Sequence, residues 1–182
     1  MKWVLLVVVV LALIGGGAYY VLTLEPTEIE EPVEEIDVAE EMGTRSITLF
    51  FSTADAQGFL RESRSVPTRR HRDEEVELVM AELLRGPRSQ AAVNAFPRGT
   101  KLRRAFLDSS QRILYLDFNT ALVANLNPGS ATELALIGSI LRTVAIDFPE
   151  IESVQILVDG LEVETLGGHI DLTRPLRPEN WL

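Results

Sequence analysis

The chain has 182 residues, 46% of them apolar and 24% charged, with 9 Pro, no Cys and a formal net charge of -10. Such a length suits one ordinary domain, and the lack of cysteine excludes a disulfide framework, a thiol nucleophile and a cysteine metal site. The charge excludes a globally basic nucleic-acid binder, whose affinity would rest on neutralising phosphates.

A strongly acidic domain is excluded too, because the charge is unevenly spread. Residues 25–41 hold nine of the 27 acids and no base; without them and Lys2, 18 acids face 16 bases. The low isoelectric point therefore belongs to a short stretch and not to a folded surface.

Residues 3–24 carry no charged side chain, and as a helix these 22 residues rise about 33 Å, enough for a hydrocarbon core of about 30 Å. Residues 1–24 thus read as a transmembrane anchor. Its three consecutive glycines are tolerated because backbone groups in lipid must bond internally. Trp3, Tyr19 and Tyr20 supply interfacial aromatics, and Lys2 with the free amine places the amino terminus in the cytoplasm by the positive-inside bias. The rest of the chain then lies outside the cytoplasmic membrane. A cleaved signal peptide is the competing reading, with residues 5–14 as its apolar region and Gly16, Gly17 and Ala18 at the cleavage site. Apolar residues continuing to Leu24 favour the uncleaved anchor. A lipoprotein is excluded, since lipid attachment at an export signal needs a cysteine.

Residues 25–45 read as a disordered acidic linker. Isolated apolar residues among glutamates, with Pro26 and Pro32, form no periodic face to bury. It acts as a solvating spacer in preference to a specific acidic ligand for a basic protein.

Residues 46–182 read as one folded domain. Residues 47–52 (ITLFFS) are a strand by alternation and aromatic content, and residues 59–66 (FLRESRSV) are a more polar strand suited to an edge. Asp73 opens a helix with Glu74 and Glu75 in its first turn, and Val76, Val79, Met80, Leu83 and Leu84 form its apolar stripe. Gly86-Pro87 ends it. Residues 101–108 and 112–118 form a hairpin turning at Ser109-Ser110, with ILYLDF as a central strand. Ser130 and Glu133 have capping-box spacing and open a helix running to about Asp147, in which Gly138 implies close packing on a neighbour. Residues 153–158 and 161–166 form a second hairpin around Asp159-Gly160. The order β-β-α-β-β-α-β-β predicts an α+β domain of two layers, a mixed sheet with two helices on one face.

These landmarks assign no catalytic, cofactor-binding or metal residue. Two histidines, His71 and His169, lack metal-site spacing. His169 and Asp171 would share a face of an extended strand, but a packed terminal segment turning at Gly167-Gly168 is the simpler reading. Asp117, inside an apolar strand, is a candidate acid and more simply a strand-end acceptor; a glycosidase would pair it with Glu133 or Asp171. The stronger surface candidate is basic. Arg61, Arg64, Arg69, Arg70 and Arg72 form one group with His71, and Arg98, Lys101, Arg103 and Arg104 another. Together they would make a patch for an anionic polymer, a phosphate headgroup or an acidic protein; separately they are solvated loops paired with nearby acids. No aromatic residue interleaves the arginines, which ranks RNA well below both readings.

In order and spacing, ITLFFS, ELLRGP, FPRGTKL, ILYLDFN, IDFPEIESVQILVDG and LGGHIDLTRPL resemble the GerMN, or sporulation and spore germination, domain over about residues 47–176. The resemblance implies a small α/β envelope domain, tethered outside the cytoplasmic membrane, with no established catalytic residues and no cofactor. A germination role is not carried over, because the family also occurs outside spore formers. The expectation is a non-enzymatic, membrane-tethered domain that contacts an envelope protein or cell-wall partner. The alternatives are a carboxylate-dependent cell-wall hydrolase and a binder of anionic wall polymer.

Overall fold

The computed structural model describes residues 43–182. The anchor and nearly all of the linker fall on residues 1–42, outside the described residues. Among the described residues, no helix is long and apolar enough to cross a membrane.

The chain opens with a long antiparallel pair, β1 (Thr44–Thr53) and β2 (Phe59–Pro67), followed by helix α1 (Arg72–Leu84) and the two-residue β3 (Ala92–Val93). Next come the hairpin β4 (Leu102–Asp108) and β5 (Ile113–Phe118), a single helical turn α2 (Ala121–Ala124) and helix α3 (Ser130–Asp147). The chain closes with β6 (Ser153–Val158), β7 (Leu161–Glu162) and a 3-10 turn, Pro178–Trp181. The class is α+β, as the sequence predicts. In place of one mixed sheet there are two: an antiparallel sheet ordered β2-β1-β3 and a second ordered β4-β5-β6-β7, in which only β5 and β6 run parallel. Their parallel pairing requires the crossover that α3 supplies.

The sheets stay separate because helix side chains take the hydrogen bonds that another strand would take. On the free edge of β1, Thr48 N–H donates to the Asp147 carboxylate at 3.0 and 3.1 Å, and Phe50 N–H donates to Thr143 Oγ1 at 3.2 Å. Asp147 and Thr143 lie one turn apart on α3. On the outer edge of β4, Ala105 N–H donates to Glu77 Oε1 of α1 at 2.9 Å. An edge closed in this way has no donor left to pair with a strand at that point.

The two long helices meet β2 from opposite faces. Arg64 and Phe59 are five residues apart on β2 and so project from opposite faces. Arg64 reaches the C-terminal end of α1, whereas Phe59 packs on Gly138 of α3. A Cβ at position 138 would stand 2.5 Å from Phe59 Cζ, and Arg142 lies over the same ring at 4.6 Å. The glycine therefore has the packing reason its sequence position implies.

One core joins both sheets and both long helices. It holds Ile47, Leu49 and Phe51 of β1, the predicted stripe residues Val76, Val79, Met80 and Leu83 of α1, Leu114, Leu116 and Phe118 of β5, and Leu136, Ile137, Ile140 and Leu141 of α3. β2 is an edge strand and β5 is central, as their sequences predict. Positive φ at Asp159 (50°) and Gly160 (77°) bears out the Asp-Gly turn. β7 stops at Glu162 and not at Leu166, because the following backbone turns away to bond α3. The capping box does not form: Gly129 occupies the N-cap with no side-chain cap, and Glu133 is used elsewhere.

Candidate functional site

Of the two predicted basic groups, Arg61 and Arg64 lie on β2 and Arg103 and Arg104 on β4, in different sheets. The 13 residues of α1, about 20 Å of helix, separate Arg72 from the loop leading to β4. In the first group, Arg64 is buried and bound from four directions. It pairs with Glu62 at 3.0 Å and Glu82 at 3.1 Å, and donates to the carbonyls of Glu82 at 2.7 Å and Gly86 at 2.6 Å. It thereby satisfies Glu82 O, which the end of α1 would leave without a partner, and the carbonyl of Gly86 just beyond the helix. Glu62 also accepts the N–H groups of Arg88 and Ser89, so one carboxylate–guanidinium pair fastens β2, α1 and the loop beyond Gly86. Arg61 lies over the Phe50 ring at 5.3 Å, and Arg72 pairs with Glu75 and, at 2.8 Å, with Glu150. Arg69 is half-buried and its N–H donates to Glu75 Oε1, while Arg70 is exposed.

In the second group, Arg98, Lys101, Arg103 and Arg104 are all exposed along the approach to β4 and its first residues. Arg103 is engaged by Asp117 at 3.0 Å and Asp159 at 3.4 Å. Arg104 stands on the outer face of the sheet, beside Phe106.

The carboxylates weighed as acids are committed to the fold. Asp117 accepts from Arg103 through Oδ2 and from Gly160 N–H through Oδ1 at 2.7 Å, pinning the β6–β7 turn to β5. Glu133 is wholly buried. Its Oε1 accepts the N–H groups of Leu166 and Gly167 at 2.9 and 3.0 Å, and its Oε2 accepts that of His169 at 2.9 Å. Burial pushes its pKa up, but these backbone donors outweigh that and hold it below the usual carboxylate range. The LGGH segment is thus a backbone cradle filled by a side chain of the same molecule. The His169 ring rests against Glu133, with Nδ1 3.3 Å from Oε2, and Asp171 instead holds Thr173 N–H and hydroxyl. No His–Asp relay forms between positions 169 and 171. Asp147 is the contrasting case: burial raises its pKa to about 6 against the opposing pull of Thr48 N–H and Arg45.

A cleft of about 250 Å³ beside the start of α3 is lined by Ala54, Ala56, Asn94, Asn125, Thr132 and neighbours, with no charged side chain. Two of its amides already serve the fold, Asn94 donating to Leu84 O and Asn125 to Arg98 O.

The least satisfied surface is the outer face of the second sheet. Its inner face is dry, with Ala105, Leu114, Leu116, Phe118, Val154, Ile156 and Val158 all buried. By alternation the outer face carries Arg104, Phe106 and Asp108 on β4, Tyr115 and Asp117 on β5, and Gln155 and Leu157 on β6. The closing segment covers only part of it, where Gln155 Nε2 donates to Leu172 O at 2.8 Å; Leu176 pairs with Val154 by backbone at the edge of the sheet. Beyond that cover, Phe106 is 54% exposed, its ring 6.1 Å from that of Tyr115, with Leu157 beside them. These three residues are not among the site residues that the sequence predicts. The signal was present in RRAFLD, where an aromatic shares the outward parity of Arg104 and Asp108 while Ala105 takes the inward one.

A family model described as Germane, sporulation and spore germination, matches residues 48–164. Two solved structures are similar in fold. One is a Clostridium perfringens protein described as a candidate lipoprotein, with 23% identity, a TM-score of 0.54, and coverage of 79% of this chain and 94% of that one. The other is the tandem GerMN domains of the sporulation protein GerM from Bacillus subtilis, with 19% identity, a TM-score of 0.54, and coverage of 79% of this chain and 49% of that one. This chain spans about half the length of that tandem protein. No curated protein matches the chain in sequence.

Proposed function

The chain belongs to the Germane family of sporulation and spore-germination domains, and from that premise we propose that it is an extracytoplasmic, envelope-associated domain that works by contact and not by catalysis. The observation carrying this reading is the uncovered aromatic part of the second sheet. With 54% of Phe106 in water, the fold forgoes on the order of 1 kcal/mol of hydrophobic stabilisation that a partner covering the ring would recover. Aromatic residues ringed by charges are typical of protein contact surfaces. Attachment to the membrane falls to residues 3–24. The Clostridium perfringens protein of similar fold is described as a candidate lipoprotein, and this chain, with no cysteine, has a charge-free segment in its place.

Hydrolysis by paired carboxylates has less support. It needs two such groups about 5–9.5 Å apart at an open cleft, whereas Glu133 is closed beneath residues 166–169 and Asp117 is held by Arg103 and Gly160. Binding of anionic polymer keeps one favourable observation, the exposure of Arg98, Lys101 and Arg104 around the start of β4. The test is capture of the full membrane form from cells, comparing the native chain with Phe106→Asp and with Arg98→Ala/Lys101→Ala. Loss of a co-purifying envelope protein on Phe106→Asp alone is expected. A set of partners indifferent to Phe106→Asp would count against the reading, and a loss confined to the basic variant would favour the polymer alternative.

A further inference from the structure

We infer that the uncovered face of the second sheet docks against the same face of a second copy of this chain. The inference rests on reading that face as an interaction surface, and it names the partner. The outward residues of β4 are, in order, Arg104, Phe106 and Asp108: a positive charge, an exposed aromatic and a negative charge. Successive outward residues on a strand stand about 6.7 Å apart, so the two charges flank the ring symmetrically. Consider a two-fold axis lying between two facing sheets and running across the strands through the Phe106–Tyr115 row. It lays β4 on a reversed β4, putting Phe106 against Phe106 and Arg104 against Asp108, twice over. The pattern is self-complementary.

Neighbouring groups are consistent with that arrangement. Asp117, the cross-strand partner of Arg104, is already held by Arg103 and by Gly160 N–H. Asp108 caps its own turn through Oδ1, which accepts from Ser110 and Gln111; none of these bonds uses Oδ2. On β5 the same axis sets Tyr115 against Tyr115. The closing segment over Gln155, next in the same row, confines the contact to β4 and β5 and splays the two sheets apart beyond them. The aromatic row is much smaller than the roughly 800 Å² per partner of stable complexes, so free copies associate weakly. Tethering to one membrane raises the effective concentration towards millimolar and favours the pair there.

The test uses the full chain in detergent micelles, with association measured by sedimentation. Arg104→Asp sets like charges against each other at both contacts, and so does Asp108→Arg. Each is expected to weaken association about tenfold or more, and the double exchange Arg104→Asp/Asp108→Arg to recover most of it. Because all forms share residues 1–42, differences among them report the face and not the apolar segment. Singles without effect, or a double exchange that recovers nothing while its thermal midpoint stays native, overturn the inference. An independent readout exploits the absence of cysteine. In lipid vesicles, Tyr115→Cys lies at the axis and should be joined to its copy by a bis-maleimide linker spanning about 10 Å, whereas Ser65→Cys, exposed on β2, should not. Equal yields overturn the inference. If Phe106→Asp releases a different envelope protein while Tyr115→Cys fails to cross-link, the face remains an interaction surface and only its assignment to a second copy falls.

Discussion

The two sheets are finished to different degrees. In the first, residues on both faces of β1 are buried: Ile47, Leu49 and Phe51 on one side, and Phe50 at 2% exposure on the other. The second has one dry face and one that the closing segment covers only as far as Gln155. Polar groups elsewhere are closed off at considerable cost, including the desolvation of Arg64 and Glu133. The exposed Phe106 beside half-buried Tyr115 is the feature on which the proposed contact rests. The contrast makes a general prediction: substitutions in closed parts cost stability, and substitutions on the open face cost binding alone.

The largest loss is expected at Glu133. Glu133→Ala removes the acceptor of three backbone N–H groups in a dry site, which should cost about 3 kcal/mol or more and lower the thermal midpoint by about 10 °C. Circular dichroism melts would measure it. A drop under about 1 kcal/mol would mean that the 166–169 segment stays bonded without its carboxylate, and the closed half of the comparison would weaken. Arg64→Ala should follow at about 2–4 kcal/mol, because it leaves half-buried Glu62 without its cation, Glu82 with Arg85 alone, and two carbonyls without a donor.

Gly138 gives a sharper, smaller test. Gly138→Ala gains up to about 1 kcal/mol of helix propensity, yet its Cβ would enter within 2.5 Å of Phe59 Cζ, so a net loss of about 1–2 kcal/mol is expected. In a Phe59→Leu background the same change should cost less. That non-additivity is the signature of direct contact.

These cases also show what the sequence could and could not convey. Periodicity disclosed both long helices, the stripe of Val76, Val79, Met80 and Leu83, the central position of β5 and the Asp-Gly turn, because each is a local pattern. The break into two sheets was not legible, since it depends on Thr143 and Asp147 meeting the edge of β1 almost a hundred residues away in the chain. Glu133 misled for the same reason. Its spacing from Ser130 fits a capping box, but Gly167 and its neighbours, 33 to 36 residues later, supply stronger donors. Among the arginines, charge alone made Arg64 and Arg104 look equivalent; only burial tells the fastener from the surface group.

The two kinds of carboxylate should part company with pH. Asp147 has its folded pKa raised to about 6, above an unfolded value near 4, so between those limits the folded state binds more protons than the unfolded one. Its contribution therefore favours folding as pH falls from about 7 towards 4. Glu133, held below the usual range, acts oppositely: its stabilisation is present above the unfolded pKa of about 4.3 and is lost as pH falls through its folded value. Asp147→Asn keeps an acceptor for Thr48 N–H and should flatten the profile between pH 4 and 6 while leaving the acid limb intact. Denaturant melts across that range would show it, and an unchanged profile would move the pH dependence away from the β1 edge.

The smallest stability effect belongs to the open face, and its smallness is the point. Phe106 already has 54% of its surface in water, so Phe106→Ser removes little burial and should shift the unfolding free energy by no more than about 1 kcal/mol. Tyr115 keeps its place in the β4–β5 ladder, since Phe106 pairs with it through the backbone whatever the side chain. A loss of association at unchanged stability would separate contact from folding at one residue. If instead the variant melts as early as Arg64→Ala, Phe106 supports the sheet from outside, and the two faces differ less than their exposures imply.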